Sequence, residues 1–216
     1  MRPFAYSLLR AAPGSLAFPA IALCAALAGC TNLQAPATDS VNVYLLDAQP
    51  VAPKAAALQR NEVLAVSTMR AHAGFDTAEI AYVTQPHELA YFAKSRWADA
   101  PARMLAPLIA RALEQCGAFR AVVYNSRAVA ADLRLDTELV RLQQEFIDKP
   151  SRVRLTLRAQ LVDLKKQRVI AMQEIEEVEP AATDNAYAGV EAANRALQRA
   201  LVRLVEFSVD PLQGSD

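Results

Sequence analysis

Hydrophobic and polar positions alternate most clearly in Val153–Leu161 of this chain. Val153, Leu155, Leu157, Ala159 and Leu161 interleave with Arg152, Arg154, Thr156, Arg158 and Gln160. A period of two puts one set on each face of a strand, so this segment predicts a half-buried strand. Lys165-Lys166-Gln167 predicts a turn, and Val169–Val178 a returning strand. Just upstream, Leu133, Leu135 and Leu139 share an alternating face, while Leu135, Leu139, Leu142 and Phe146 also fit a helix. We read 132–146 as a strand whose phase changes near Leu139-Val140, which predicts a bulge. Residues 132–179 then form an antiparallel meander.

The N-terminal half is more broken. Val41–Leu46, Val63–Ser67, Glu79–Thr84 and Phe119–Tyr124 predict strands. Residues 51–60 predict a connection, and His72–Asp76 a loop. Gln85-Pro86-His87 is a turn signal. Glu88–Ala93 returns as its hairpin partner, with a short helix as the alternative. Asp99-Ala100-Pro101 predicts a helix start, with Asp99 as N-cap candidate and proline in the first turn. Met104, Leu105, Leu108, Ile109, Ala112 and Leu113 follow at helical spacing, and Gly117 supplies the stop. Pro107 predicts a bend inside this helix, or a start nearer Pro107. After Pro180, Thr183 or Asp184 caps a long helix whose core stripe is Val190, Leu197, Leu201, Leu204 and Val205. Strands on either side of the first helix allow one parallel crossover. The predicted fold class is α/β. A single domain over 41–210 has a mixed sheet with a C-terminal antiparallel meander and two main helices packed on it. Residues 211–216 read as a tail.

The first 40 residues have a different character. Arg2 and Arg10 precede an apolar run from Leu16 to Leu27, and the first acid is Asp39. This is the pattern of an export signal. As a helix, the run would span roughly 18 Å against a hydrocarbon core of about 30 Å, and Pro13, Gly14 and Pro19 oppose a spanning helix further. Leu27-Ala28-Gly29-Cys30 resembles the bacterial lipobox. That resemblance implies cleavage between Gly29 and Cys30 and a diacylglyceryl group on the Cys30 thiol, with residues 1–29 removed. Residues 30–40 then form the lipidated N-terminus and a tether. Thr31 follows Cys30, a pattern similar to lipoproteins sorted to the outer membrane.

Charge and cysteines narrow the partners. The chain has 23 basic and 23 acidic residues; removing 1–29 takes two arginines and no acid, leaving 21 against 23. There is no basic footprint for nucleic acid. The lipobox resemblance implies that Cys24 leaves with the signal and Cys30 is acylated, which leaves Cys116 without a disulfide partner; it reads as a buried structural thiol. His72 and His87 fall in separate loops. No motif of metal-ligand spacing, nucleophile elbow or phosphate loop appears, and the chain has six glycines. No cofactor, metal or catalytic set is expected. Glu174, Glu176, Glu177 and Glu179 predict a solvated strand face, with Arg152, Arg154 and Arg158 pairing with Glu174 and Glu176 across the meander.

The remaining signal is aromatic. Tyr82, Tyr91, Phe92 and Trp97, the only tryptophan, crowd into 16 residues. Aromatic residues concentrate where a surface is half buried or bound by a partner. Core filling is one reading; a partner-binding surface of Tyr82, Tyr91, Arg96 and Trp97 is the other. The spacing Tyr82…Pro86…Glu88-Leu89…Tyr91, then Arg96-Trp97-Ala98, Pro101 and a leucine-rich helix, resembles the ABC-type transport auxiliary lipoproteins. Lys94-Ser95 departs from that family's pattern. The resemblance implies a non-enzymatic outer-membrane lipoprotein facing the periplasm, serving a lipid transport system of the mammalian-cell-entry (MCE) or paraquat-inducible type. Its expected partners are the membrane, through the lipid anchor, and an MCE-domain protein; homo-oligomerisation stays open. The alternative is an accessory lipoprotein of another envelope machine, such as an outer-membrane barrel assembly or export complex.

Overall fold

A 13-residue strand, β7 (Leu133–Glu145), organises the sheet, and the computed structural model describes residues 40–48, 60–125 and 129–212 around it. The signal segment with Gly29 and Cys30, residues 31–39 of the tether, the connection 51–59 and residues 213–216 lie outside the described residues. One edge of β7 pairs along its whole length with β8 (Arg152–Asp163), which in turn pairs with β9 (Arg168–Pro180). This is the predicted antiparallel meander. The register shifts between Leu139 and Arg141, where the change of phase predicts a bulge.

Along the other edge of β7 lie three short parallel strands, end to end. They are β2 (Val63–Val66), β3 (Arg70–Ala71) and β4 (Glu79–Val83). β6 (Ala121–Tyr124) flanks β2, β5 (Ala90–Trp97) flanks β4, and β1 (Asn42–Tyr44) flanks β5. The nine-stranded sheet is therefore mixed. Parallel pairing goes beyond the single crossover predicted: β2–β6, β1–β5, β2–β7, β3–β7 and β4–β7 are all parallel. The two-residue β3 lies just before the expected loop at His72. The residues after Glu88 form a strand, not a helix.

Helix α1 (Pro101–Cys116) connects β5 to β6, and helix α2 (Ala186–Val209) follows β9. A short 3-10 turn, Asp210–Leu212, ends the described chain. Proline at the first helical position fits because its missing N–H would have no partner there. Ala100, not Asp99, is the N-cap of α1 and offers no side-chain bond. Asp99 instead accepts from the Ala100 N–H and pairs with Arg103 four residues on. The helix begins at Pro101 and continues past Pro107, whose ring lies on the exposed side. Gly117 ends it at φ 70°, a left-handed conformation that suits glycine. For α2 the cap is Asn185, which accepts from the Ala188 N–H at 2.9 Å. Thr183 accepts from the Asn185 side chain, and Asp184 accepts from the Ser151 N–H.

The core lies between the helices and the sheet. Leu105, Ile109 and Leu113 of α1 and Leu197, Leu201 and Leu204 of α2 are buried with Leu135, Leu139, Leu155, Leu157 and Leu161 of the meander. Gly189 lets α2 approach the sheet closely: a Cβ there would fall on the side-chain amide of Gln144. That amide donates to Ser151 Oγ and to the Asn185 carbonyl, fixing the start of α2. Cys116 is buried; burial pushes its thiol pKa up, and Sγ donates to the Leu113 carbonyl. Residues from Ser40 onward form one compact unit.

Candidate functional site

The β4–β5 hairpin carries the aromatic motif, and its strands separate the four candidate side chains. Trp97 ends β5 beside Tyr44 and is only 3% exposed. Its burial corrects the reading of Trp97 as a partner contact; the ring fills the core. Tyr82 is half buried, 4.7 Å from the Phe92 ring and 5.9 Å from the Phe146 ring. Tyr91 donates from its hydroxyl to the Gly74 carbonyl at 3.0 Å, fastening the β3–β4 loop to the hairpin. Gly74 has φ 90°, and a Cβ there would meet Leu89. Of the four, Arg96 alone is exposed. The motif is thus mainly a packing device, and its members do not converge on one point.

The longest exposed run of the hairpin, 84–89, lies at its turn, where His87 has φ 67°. Beside it an open groove of about 420 Å³ runs onto the sheet face away from the helices. Phe75, Val83, Leu89 and Ile147 give it an apolar floor; Arg141 and Glu145 give it charge. Only the turn signal marked this place in the sequence, because Ile147 and Arg141 are brought to it by β7.

Glu145 is the electrostatic centre of that face. Arg154 Nε donates to it at 2.7 Å, Arg152 Nε at 3.0 Å and Gln143 at 3.1 Å. Burial pushes the carboxyl pKa up, but these hydrogen bonds outweigh it and bring it down to about 2. Arg154 also reaches Glu176, and Arg158 joins Glu138 and Glu174. The expected pairs across the meander therefore form for Arg154 and Arg158, whereas Arg152 turns to Glu145 and Asp148. His72 lies 3.4 Å from Glu138.

The acidic run divides by strand parity. Glu174 and Glu176 are exposed, as a solvated face requires. Glu177 and Glu179 are buried on the other face, against α2, which corrects their reading as solvated. Arg195, Arg199 and Arg203, spaced four apart on α2, pair with them. The same guanidinium groups donate to the carbonyls of Pro180, Val178 and Glu176 at 2.8, 3.0 and 3.0 Å. Alternate carbonyls on the outer edge of β9 are thereby closed to another strand.

Among the described residues no group of His, Cys, Asp and Glu has the arrangement of a metal site. No described helix is long and apolar enough to cross a membrane.

This architecture, two helices on one face of a mixed sheet, recurs in solved structures. One is a protein from Xanthomonas campestris assigned to the DUF330 family. It superposes with a TM-score of 0.73 at 23% identity, covering 80% of this chain and 97% of its own. An uncharacterized protein superposes with a TM-score of 0.61 at 12% identity, covering 77% and 97%. At these identities the likeness shows the fold alone. No curated protein matches the sequence. Residues 44–205 match the family described as the ABC-type transport auxiliary lipoprotein component, and the chain belongs to that family.

Proposed function

We propose that this chain is a non-enzymatic docking component of an ABC-type envelope lipid transport system. Cleavage after Gly29 leaves Cys30 acylated, and the lipid holds the domain at the periplasmic face of the outer membrane. The observation that carries this reading is the family match over 44–205, with Leu27-Ala28-Gly29-Cys30 a short way upstream. Two or more acyl chains give stable anchoring, since each buried methylene contributes about 0.8 kcal/mol. The domain then presents a surface to an MCE-domain protein. The groove beside His87 and Leu89 supports this part: it joins apolar floor to charged rim, the mixture that protein contacts use.

The anchor is tested by Cys30→Ala. The substituted chain should leave the membrane fraction and lose its acyl mass. Tight membrane association without acylation would refute the anchor.

A further inference from the structure

The first strand of the domain leaves an apolar row in solvent. Val41, Val43 and Leu45 are 48, 60 and 57% exposed, and Tyr187 at the start of α2 is 58% exposed. Val43, Leu45, Tyr187 and Val190 line one groove, with Asp47, Glu191 and Asn194 at its polar side. β1 pairs with β5 alone among the described strands, and just past its end the Asn194 side chain of α2 donates to the Leu45 carbonyl and accepts from the Asp47 N–H. Isolated exposed apolar residues are ordinary, but a row along an edge strand invites a partner.

We propose that this β1 edge rests on the lipid surface that holds the anchor. The inference depends on acylation at Cys30, and two features of the chain favour lipid over another protein. First, Ser40 lies only ten positions after Cys30, a reach of at most about 35 Å when fully extended. The chain enters the domain at β1, so β1 is the strand with the shortest covalent path to the acyl chains. Second, the side chains suit an interface. Valine and leucine supply apolar area, while Tyr44 and Tyr187, with ring centroids 6.2 Å apart, combine apolar bodies with polar tips that settle at headgroup level. Arg96 is exposed beside Val43 in the parallel register, where a lipid phosphate can meet it. This gives the surface arginine of the aromatic motif a role that Trp97 cannot share. The opposite edge carries charge in place of this apolar row: the arginines of α2 close the C-terminal half of β9.

The test uses the acylated chain reconstituted in vesicles of phosphatidylethanolamine and phosphatidylglycerol that carry a headgroup-level quencher. Val43→Cys and Met172→Cys are labelled separately with an environment-sensitive fluorophore. Met172 lies on β9 and is as exposed as Val43, at 60%. The expected result is quenching at position 43 and none at position 172. Equal quenching, or none at position 43 in a chain that floats with the vesicles, overturns the docking and leaves the anchor standing. A chain that does not float removes the anchor and the docking together. Disulfide-linked dimers of unlabelled Val43→Cys under an added thiol oxidant, with the label of the labelled chain shielded from the lipid quencher, would make β1 a contact between copies and overturn the proposal.

Discussion

Tyr44 and Trp97 stand side by side in the parallel β1–β5 register, and the Ala98 N–H closes the ladder on the Tyr44 carbonyl at 2.7 Å. The first strand of the domain is thereby tied to the end of the aromatic motif. Trp97 faces the core and Arg96 faces water, because successive side chains on a strand point to opposite faces.

Trp97→Ala should therefore act on stability. Removing a buried aromatic ring costs about 3–5 kcal/mol, so the denaturation midpoint should fall well below that of the parent chain. Partner capture at a temperature where the variant is still folded should be unchanged. A variant that melts normally but loses its partner would show that Trp97 is a contact after all.

Much of the meander was legible because period-two alternation survives where one face meets the core and the other meets water. The bulge near Leu139-Val140 was legible as a break in that period. The short strand β3 was not, since two residues show no period; β7 defines it by pairing. The caps were misplaced by one or two residues: Asp99 takes the Ala100 N–H and Arg103, and Asp184 takes the Ser151 N–H that the fold brings near. Glu177 and Glu179 misled for a different reason. Their neutralising arginines lie on α2, 16 residues or more along the chain, and no local pattern connects them. The groove at the hairpin turn was half legible: the turn was marked, the contribution of Arg141 and Ile147 was not.

The carboxyl of Glu145 links acid stability to the charged face. Its folded pKa of about 2 lies below the ordinary value of 4.5. Its contribution is thus fully present above about pH 4.5 and is lost as pH falls through 2. The full shift corresponds to on the order of 3 kcal/mol. Denaturant titrations across this window should show Glu145→Gln less stable near neutrality and less sensitive to acid than the parent. Parallel acid limbs for the two chains would contradict the assignment.

The arginines of α2 are predicted to guard the β9 edge. Arg199→Ala leaves two buried carboxylates and the Val178 carbonyl short of a donor. An unsatisfied buried group costs about 1–3 kcal/mol, more when charged, so a clear loss in thermal stability is expected. Replacing Arg195, Arg199 and Arg203 together by serine should also speed aggregation, read by light scattering, because the strand edge opens. Unchanged melting and scattering would show that these contacts contribute little.

Docking to a lipid transport machine is the central claim, and a crosslink from the exposed hairpin tests it most directly. A photoreactive residue placed at Leu89, which lines the groove, should join the acylated protein in living cells to the MCE-domain protein of its transport system. The same residue at Met172 on the β9 edge should not. Crosslinks from Leu89 to an outer-membrane barrel assembly or export complex, with no MCE-domain product, would contradict the account.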